Sequence, residues 1–234
     1  MDKTLKTLSL LLSYPTEELQ QALPELCTVL TRDGRLTDIL RRHLRPLLHE
    51  LEVGDIYALQ ARYVDLFDRS RSLSLNLFEH VHGESRDRGG AMVSLLETYR
   101  AGGFEPATTE LPDHLPVLLE YLSLRPEEEV TEILADAAHI LAALEARLVM
   151  RESAYSAVFS LVLHLVGARA DAGAVAHLLE RPEDDPDDLE QLDALWEETE
   201  VTFGPDPNAG CPQVRDMLAR MDTPQTRPAR TAAE

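Results

Sequence analysis

Aromatic residues make up only 5% of this 234-residue sequence, and runs that alternate apolar and polar residues are nearly absent. Both shortages argue against a sheet-built core, while abundant Leu, Ala, Glu and Arg favour helix. Cysteine is scarcer still. Cys27 and Cys211 form no C-x-x-C pair, which excludes a disulfide framework and a thiolate metal site and fits a reducing, cytoplasmic setting. No apolar run approaches the roughly 20 residues that a membrane span needs. The opening MDKTLKTLSLLLSYP sets Lys3 and Lys6 before an apolar patch. That patch is too short for a signal peptide, and Tyr14-Pro15 stand where small cleavage-site residues belong. The expectation is a soluble cytoplasmic protein. Basic residues are also short, 22 against 42 acidic, for a formal net charge of −20. Such a surface repels nucleic acid and anionic membranes and suits a cationic peptide or protein, although it also serves solubility alone.

What is present is helical periodicity. Ile56, Leu59, Tyr63, Leu66 and Phe67 recur at steps of three and four. Val130, Ile133, Leu134, Ala137, Leu141, Leu144 and Leu148 continue the pattern over a longer span, entered through Pro126 and three glutamates suited to a helix N-terminus. Residues 154–166, AYSAVFSLVLHLV, are apolar on nearly every side, the mark of a helix buried by its neighbours. Further helices are expected near 4–12, 16–31, 36–51, 72–101, 112–123, 173–180, 189–201 and 212–221. Gly102-Gly103 and Pro106 to Pro112 mark a break. From Glu180 to Glu200 the chain holds 11 acidic residues and one basic, a net of −10. Charge so crowded disfavours compaction. The fold class expected is all-α, a single-domain helical bundle over 1–170, with an acidic linker, short helices and a flexible tail over 171–234.

Three clusters could carry chemistry. Glu79 and His82 form an E-x-x-H pair, the spacing that puts two ligands on one helix face in di-iron bundles. A site also needs a second pair, and the nearest candidate, Asp136 with His139, has the wrong acid. A helical metalloenzyme using these residues and His114 is the alternative reading. The run Glu84-Ser85-Arg86-Asp87-Arg88-Gly89 alternates charge, which from spacing alone describes a solvated helix face. Its glycines make no phosphate loop, because no G-x-x-x-x-G-K stands there and no strand precedes them. Asp113-His114 lies between Pro112 and Pro116 with no nucleophile elbow nearby, and reads as the start of a helix with an acid at its positive end.

Several of these strings together resemble a known family. They are Leu12-Ser13-Tyr14-Pro15, Tyr63 through Arg69 (YVDLFDR), Leu77 through Gly89 (LFEHVHGESRDRG), Glu110 through Pro116 (ELPDHLP) and Leu119-Glu120-Tyr121-Leu122. Arg151-Glu152-Ser153 and Ala194 through Glu198 (ALWEE) add to them. The sequence resembles the NarJ-type assembly chaperones of respiratory nitrate reductase, and Glu110-x-x-Asp113-His114 resembles the signature of the wider TorD and DmsD group. The resemblance covers most of positions 10–200 and is absent from residues 17–50 and the last 30 or so. It implies an all-helical, non-enzymatic protein without a tightly bound cofactor. Such a chaperone would bind the basic N-terminal segment of the catalytic subunit of a membrane-bound nitrate reductase. It would hold that subunit open for insertion of molybdenum–bis-guanine-dinucleotide and an iron–sulfur cluster before membrane docking, then leave. A permanent structural subunit is a further alternative. A peptide groove between helices would use Tyr63, Phe67, Phe78 and Tyr121 as walls, with His82, Arg86, Asp113 and His114 ordering the loop beside them.

Overall fold

The computed structural model describes residues 1–82, 86–167 and 169–180, apart from the side chains at 82 and 86. The helices expected near 189–201 and 212–221, the acidic run beyond Glu180 and the tail lie outside the described residues. Within them the chain is helical: α1 (Lys3–Leu11), α2 (Glu17–Arg32), α3 (Asp38–Val53), α4 (Ile56–Tyr63), α5 (Leu77–His82), α6 (Arg86–Ala101), α7 (Leu115–Leu122), α8 (Glu127–Asp136), α9 (Ala138–Met150), α10 (Ser156–Val166) and α11 (Ala172–Leu179). No strand occurs among the described residues, only an isolated antiparallel bridge between Asn76 and His114.

The helix starts follow from side chains that accept the first free amides. Asp2 takes Thr4 N and Leu5 N at 2.9 and 3.1 Å, Thr16 takes Leu19 N, Thr37 takes Leu40 N, and Asp55 takes Ala58 N. Asp2 also receives Arg35, which clamps Asp33 as well. That clamp holds the Asp33 carboxyl well below the usual carboxylate range. Gln20 on α2 donates to the carbonyls of Leu51 and Gly54, closing the exit of α3. The core is leucine-rich, as the composition implies. α10 sits at its middle with Ala157, Val158, Phe159, Leu161 and Val162 wholly buried, packed by α1, α3, α8 and α9.

Two expected helices are each divided. The span 127–148 breaks at Ala137 (φ −86°, ψ −3°), so that α8 and α9 meet α10 separately. The span 72–101 is not one helix. It holds a 3₁₀ turn (Arg71–Leu73), an extended stretch bridged to His114, then α5 and α6. Periodicity is blind to the cause, a backbone pairing with residues 36 to 40 positions away: Leu77 N donates to Asp113 O (3.1 Å) and Leu115 N to Leu75 O (2.9 Å). Helix α11 starts just past residue 170 and packs on α9, with Leu178 buried.

Candidate functional site

The site is built where the chain crosses itself, around residues 74–80 and 113–115. At the end of α4 the backbone widens into a π turn (Val64–Asp68), closed by Arg69 N donating to Val64 O at 3.0 Å. Such turns insert a residue into a helix and re-aim those after it. Leu66 and Phe67 go into the core here and Asp68 stays at the surface.

His114 N donates to Leu111 O at 3.1 Å, so Asp113 sits in a turn, and His114, the bridged residue, is extended. Asp113 is completely buried, and its Oδ2 accepts the Phe78 amide at 2.9 Å. The acid therefore caps α5, a helix 35 residues earlier, instead of α7, which it precedes; α7 begins at His114 with no side-chain cap. The other carboxylate oxygen, Oδ1, is buried without a hydrogen-bond partner. Burial pushes the Asp113 carboxyl up, against the Phe78 amide and the nearby Arg88. Arg88 directs Nη2 to Glu79 (3.1 Å) and leaves its buried Nε unpartnered.

Two clefts flank this crossing. The first, of about 310 Å³, is apolar and lies between α5, α6, α8 and α9. Its lining includes Phe78, Leu95, Leu118, Ile133 and Ile140, with Asp113 among them and Asp136 and His139 also on it. The second, of about 380 Å³, is polar, and is lined by Tyr14, Tyr63, Asp68, Glu110, His114 and Glu120 among others. Burial draws the His114 imidazole below its usual range, although Glu110, Asp113 and Asp68 all pull the other way. The Asp68 carboxyl is raised by burial and by Glu110, with His114 opposing.

The residues singled out from sequence are thus divided among four places. Phe78 and Asp113 line the apolar cleft, and Tyr63 and His114 line the polar one. Phe67 is buried in the core against Tyr63 and Tyr155, at ring distances of 5.0 and 5.1 Å. Tyr121 belongs to a separate aromatic cluster with Tyr99 and Phe104, under the Arg125 guanidinium, and its hydroxyl donates to Glu129. Gly102 lets that ring in: a Cβ there would lie 2.8 Å from the Tyr121 ring. His82 and Arg86 lie on α5 and α6, but their side chains are outside the described residues. The leucines and isoleucines of the apolar cleft were not singled out; their only signal was the helical stripe that core residues share. Among the described residues no three His, Cys, Asp or Glu side chains gather to hold a metal ion, and Glu79 pairs with Arg88. No helix among them is long and apolar enough to cross a membrane.

Comparison with known proteins gives a consistent pattern. The profile of the family described as nitrate reductase delta subunit matches residues 14–160. The chain is 45% identical over 204 residues to the nitrate reductase molybdenum cofactor assembly chaperone NarJ of Escherichia coli K12, covering 86% of this chain and 85% of that protein. It is 41% identical over 207 residues to the probable nitrate reductase molybdenum cofactor assembly chaperone NarW of the same strain, covering 88% and 86%. The probable chaperone of the same description in Bacillus subtilis is 31% identical over 163 residues, 68% of this chain and 86% of that protein.

Proposed function

The chain belongs to the nitrate reductase delta subunit family, and from that premise we propose that it is a cytoplasmic, non-catalytic assembly chaperone for a nitrate reductase. The observation that carries this reading is the 45% identity to a molybdenum cofactor assembly chaperone along 86% of the chain. The client is the catalytic subunit of a membrane-bound nitrate reductase, held in its apo form by a basic, amphipathic N-terminal segment. While held, it receives molybdenum–bis-guanine-dinucleotide and an iron–sulfur cluster, and docks at the membrane afterwards. The chaperone binds no cofactor tightly itself.

The geometry supports peptide capture. An apolar cleft between helices is the usual receptor for one face of an amphipathic helix. Phe78 gives it a half-buried aromatic wall, and the sequence as a whole carries a net charge of −20. Apolar area sets how long the complex lasts, and the negative field speeds encounter with a basic segment. Tyr63, Phe67 and Tyr121 then act by holding the frame, His82 and Arg86 by ordering the α5–α6 junction, and Asp113 and His114 by joining the clefts to it.

The test is recovery of a tagged chain from cells respiring nitrate. The expected partner is the catalytic subunit, poor in molybdenum. Stoichiometric recovery with fully loaded enzyme would instead make the chain a permanent component. Tightly bound iron, zinc or manganese, with no catalytic subunit attached, would overturn the chaperone reading in favour of a metalloprotein.

A further inference from the structure

The charge of the whole chain predicts repulsion from anionic surfaces, and the outer face of α3 departs from it. Residues 39–49 contain no acid, and Arg41-Arg42-His43-Leu44-Arg45 is the one place where five consecutive residues hold three arginines or lysines. Leu44, Leu47 and Leu51 are buried and turn one side of α3 inward. The other side carries Arg42, His43, Arg45 and His49, all exposed. The acids of the helix leave this face uncompensated. Asp38 is held by Arg41 and Glu50 by Arg62, and Glu52 stands at the C-terminal end. Among the described residues Arg42 and Arg45 make no ion pair; Arg42 reaches only the carbonyl of Asp38, at 3.2 Å. Ile39 and Val53, 70% and 65% exposed, share the side with exposed Pro46. Seven residues make two turns, so the three form one apolar line about 21 Å long. Apolar side chains flanked by arginines are the composition of surfaces that lie on anionic lipid. A protein partner would seek recesses for its anchoring side chains, and neither cleft described above has an α3 residue on its wall.

We propose that the outer face of α3 is a peripheral contact for anionic lipid, with Arg42 and Arg45 on phosphate headgroups and Ile39 and Val53 entering between them. The contact is weak and reversible. Each arginine contributes about fivefold to partitioning, and two such charges with two apolar contacts fall short of stable anchoring. Screening over about 8 Å lets this face act while acidic residues elsewhere remain in solution. Such a contact suits a protein whose client docks at the membrane, because a weak second attachment raises the local concentration of the complex there without retaining the chaperone afterwards. The inference goes beyond the chaperone reading, and its lipid test does not depend on that reading.

Flotation of the full chain with vesicles tests it. The probes are vesicles of equal parts phosphatidylcholine and phosphatidylglycerol, and vesicles of phosphatidylcholine alone. The wild type should float with the anionic vesicles at low salt, less at physiological salt, and not with the neutral ones. Arg42→Gln with Arg45→Gln should lower the partition coefficient roughly 25-fold. Ile39→Ser with Val53→Ser should lower it severalfold at either salt concentration. Arg100→Gln with Arg169→Gln removes the same charge from exposed positions outside α3 and should leave binding within about twofold. All the substituted residues are exposed, and unaltered thermal unfolding confirms that each variant is folded. Equal binding to both kinds of vesicle, or none to either, would overturn the proposal. A loss in the Arg100 and Arg169 variant as large as in the α3 variant would reduce the effect to net charge and remove the face. Unchanged flotation of the α3 variant, with poorer recovery of the catalytic subunit, would give the face to a protein partner instead. Failure of the chaperone reading would appear separately, as absence of the catalytic subunit from the tagged-chain recovery.

Discussion

Asp113 caps the helix that opens at Leu77, accepting the Phe78 amide at 2.9 Å, while its second oxygen remains buried and unpaired. One side chain thus has two consequences of opposite sign. The cap supplies an acceptor for one of the free amides of α5 and pins the chain crossing at Asn76 and His114. The free oxygen penalises the folded state, an effect that the nearby Arg88 charge partly offsets.

The stability consequence can be worked out with its sign. Burial raises the Asp113 carboxyl above its ordinary 3.8, so the folded form keeps its proton at pH values where the unfolded chain has lost it. Stability from this group is then greatest at low pH and falls as pH rises from about 3.8 through the raised folded value. Asp113→Asn removes that dependence and keeps the cap. Its stability at pH 7 should equal the wild type or exceed it by about 1 kcal/mol. Asp113→Leu, which has no acceptor, should lose about 1–2 kcal/mol. Urea unfolding at pH 5 and pH 7 reads both. A loss above about 2 kcal/mol in the Asn variant would mean that the carboxylate is paired in solution.

The aromatic residues separate frame from contact. Tyr63 is buried, and its hydroxyl donates to Leu12 O at 2.8 Å. Tyr63→Phe should cost about 1–2 kcal/mol, the value of one buried hydrogen bond and the carbonyl left behind. Phe67→Ala opens a cavity under Tyr63 and Tyr155 and should cost about 3–5 kcal/mol. Peptide affinity, measured where both variants are folded, should stay within about twofold of the wild type. A tenfold loss in Tyr63→Phe with unaltered melting would instead bring the polar cleft into direct contact with the client.

Much of this was legible in the sequence, and the parts that were not share a cause. Stripes such as Ile56, Leu59 and Tyr63 gave helices because a helix repeats locally, and the all-apolar run at 154–166 is indeed the central buried helix. The division of 72–101 was hidden because it depends on backbone pairing with residues 113–115, which no local period records. The same distance concealed the role of Asp113. Its position after a proline suggested a cap for the following helix, and it caps an earlier one. The strings around residues 63–89 and 110–121 meet at the chain crossing, and their aromatics mix cleft wall, as at Phe78, with core, as at Phe67. Leu95, Ile133 and Ile140 line the cleft with the same residue types that fill the interior, so only the fold distinguishes them.

The boundary of the folded core gives the last prediction. Arg147 is 2% exposed on α9, and its guanidinium donates to Ser72 O and, at 2.6 Å, to Leu178 O on α11. Leu178 is itself buried. A chain ended after Asp171 loses the leucine, about 1.5–3 kcal/mol of apolar burial. It also loses an acceptor for a buried charge, about 1.5–3 kcal/mol more. The sum is a large share of the 5–15 kcal/mol typical of a folded domain. A chain ended after Asp188, where the first compact unit closes, keeps both. The shorter chain should melt at least 10 °C lower or fail to fold, and the longer one should match the full-length protein in melting temperature and in peptide binding. Arg147→Met in the full chain isolates the charge: methionine packs along the same path without needing acceptors, so it should cost less than the truncation. If the chain ended at Asp171 melts like the full-length protein, α11 is an accessory to the bundle and the core ends near residue 170.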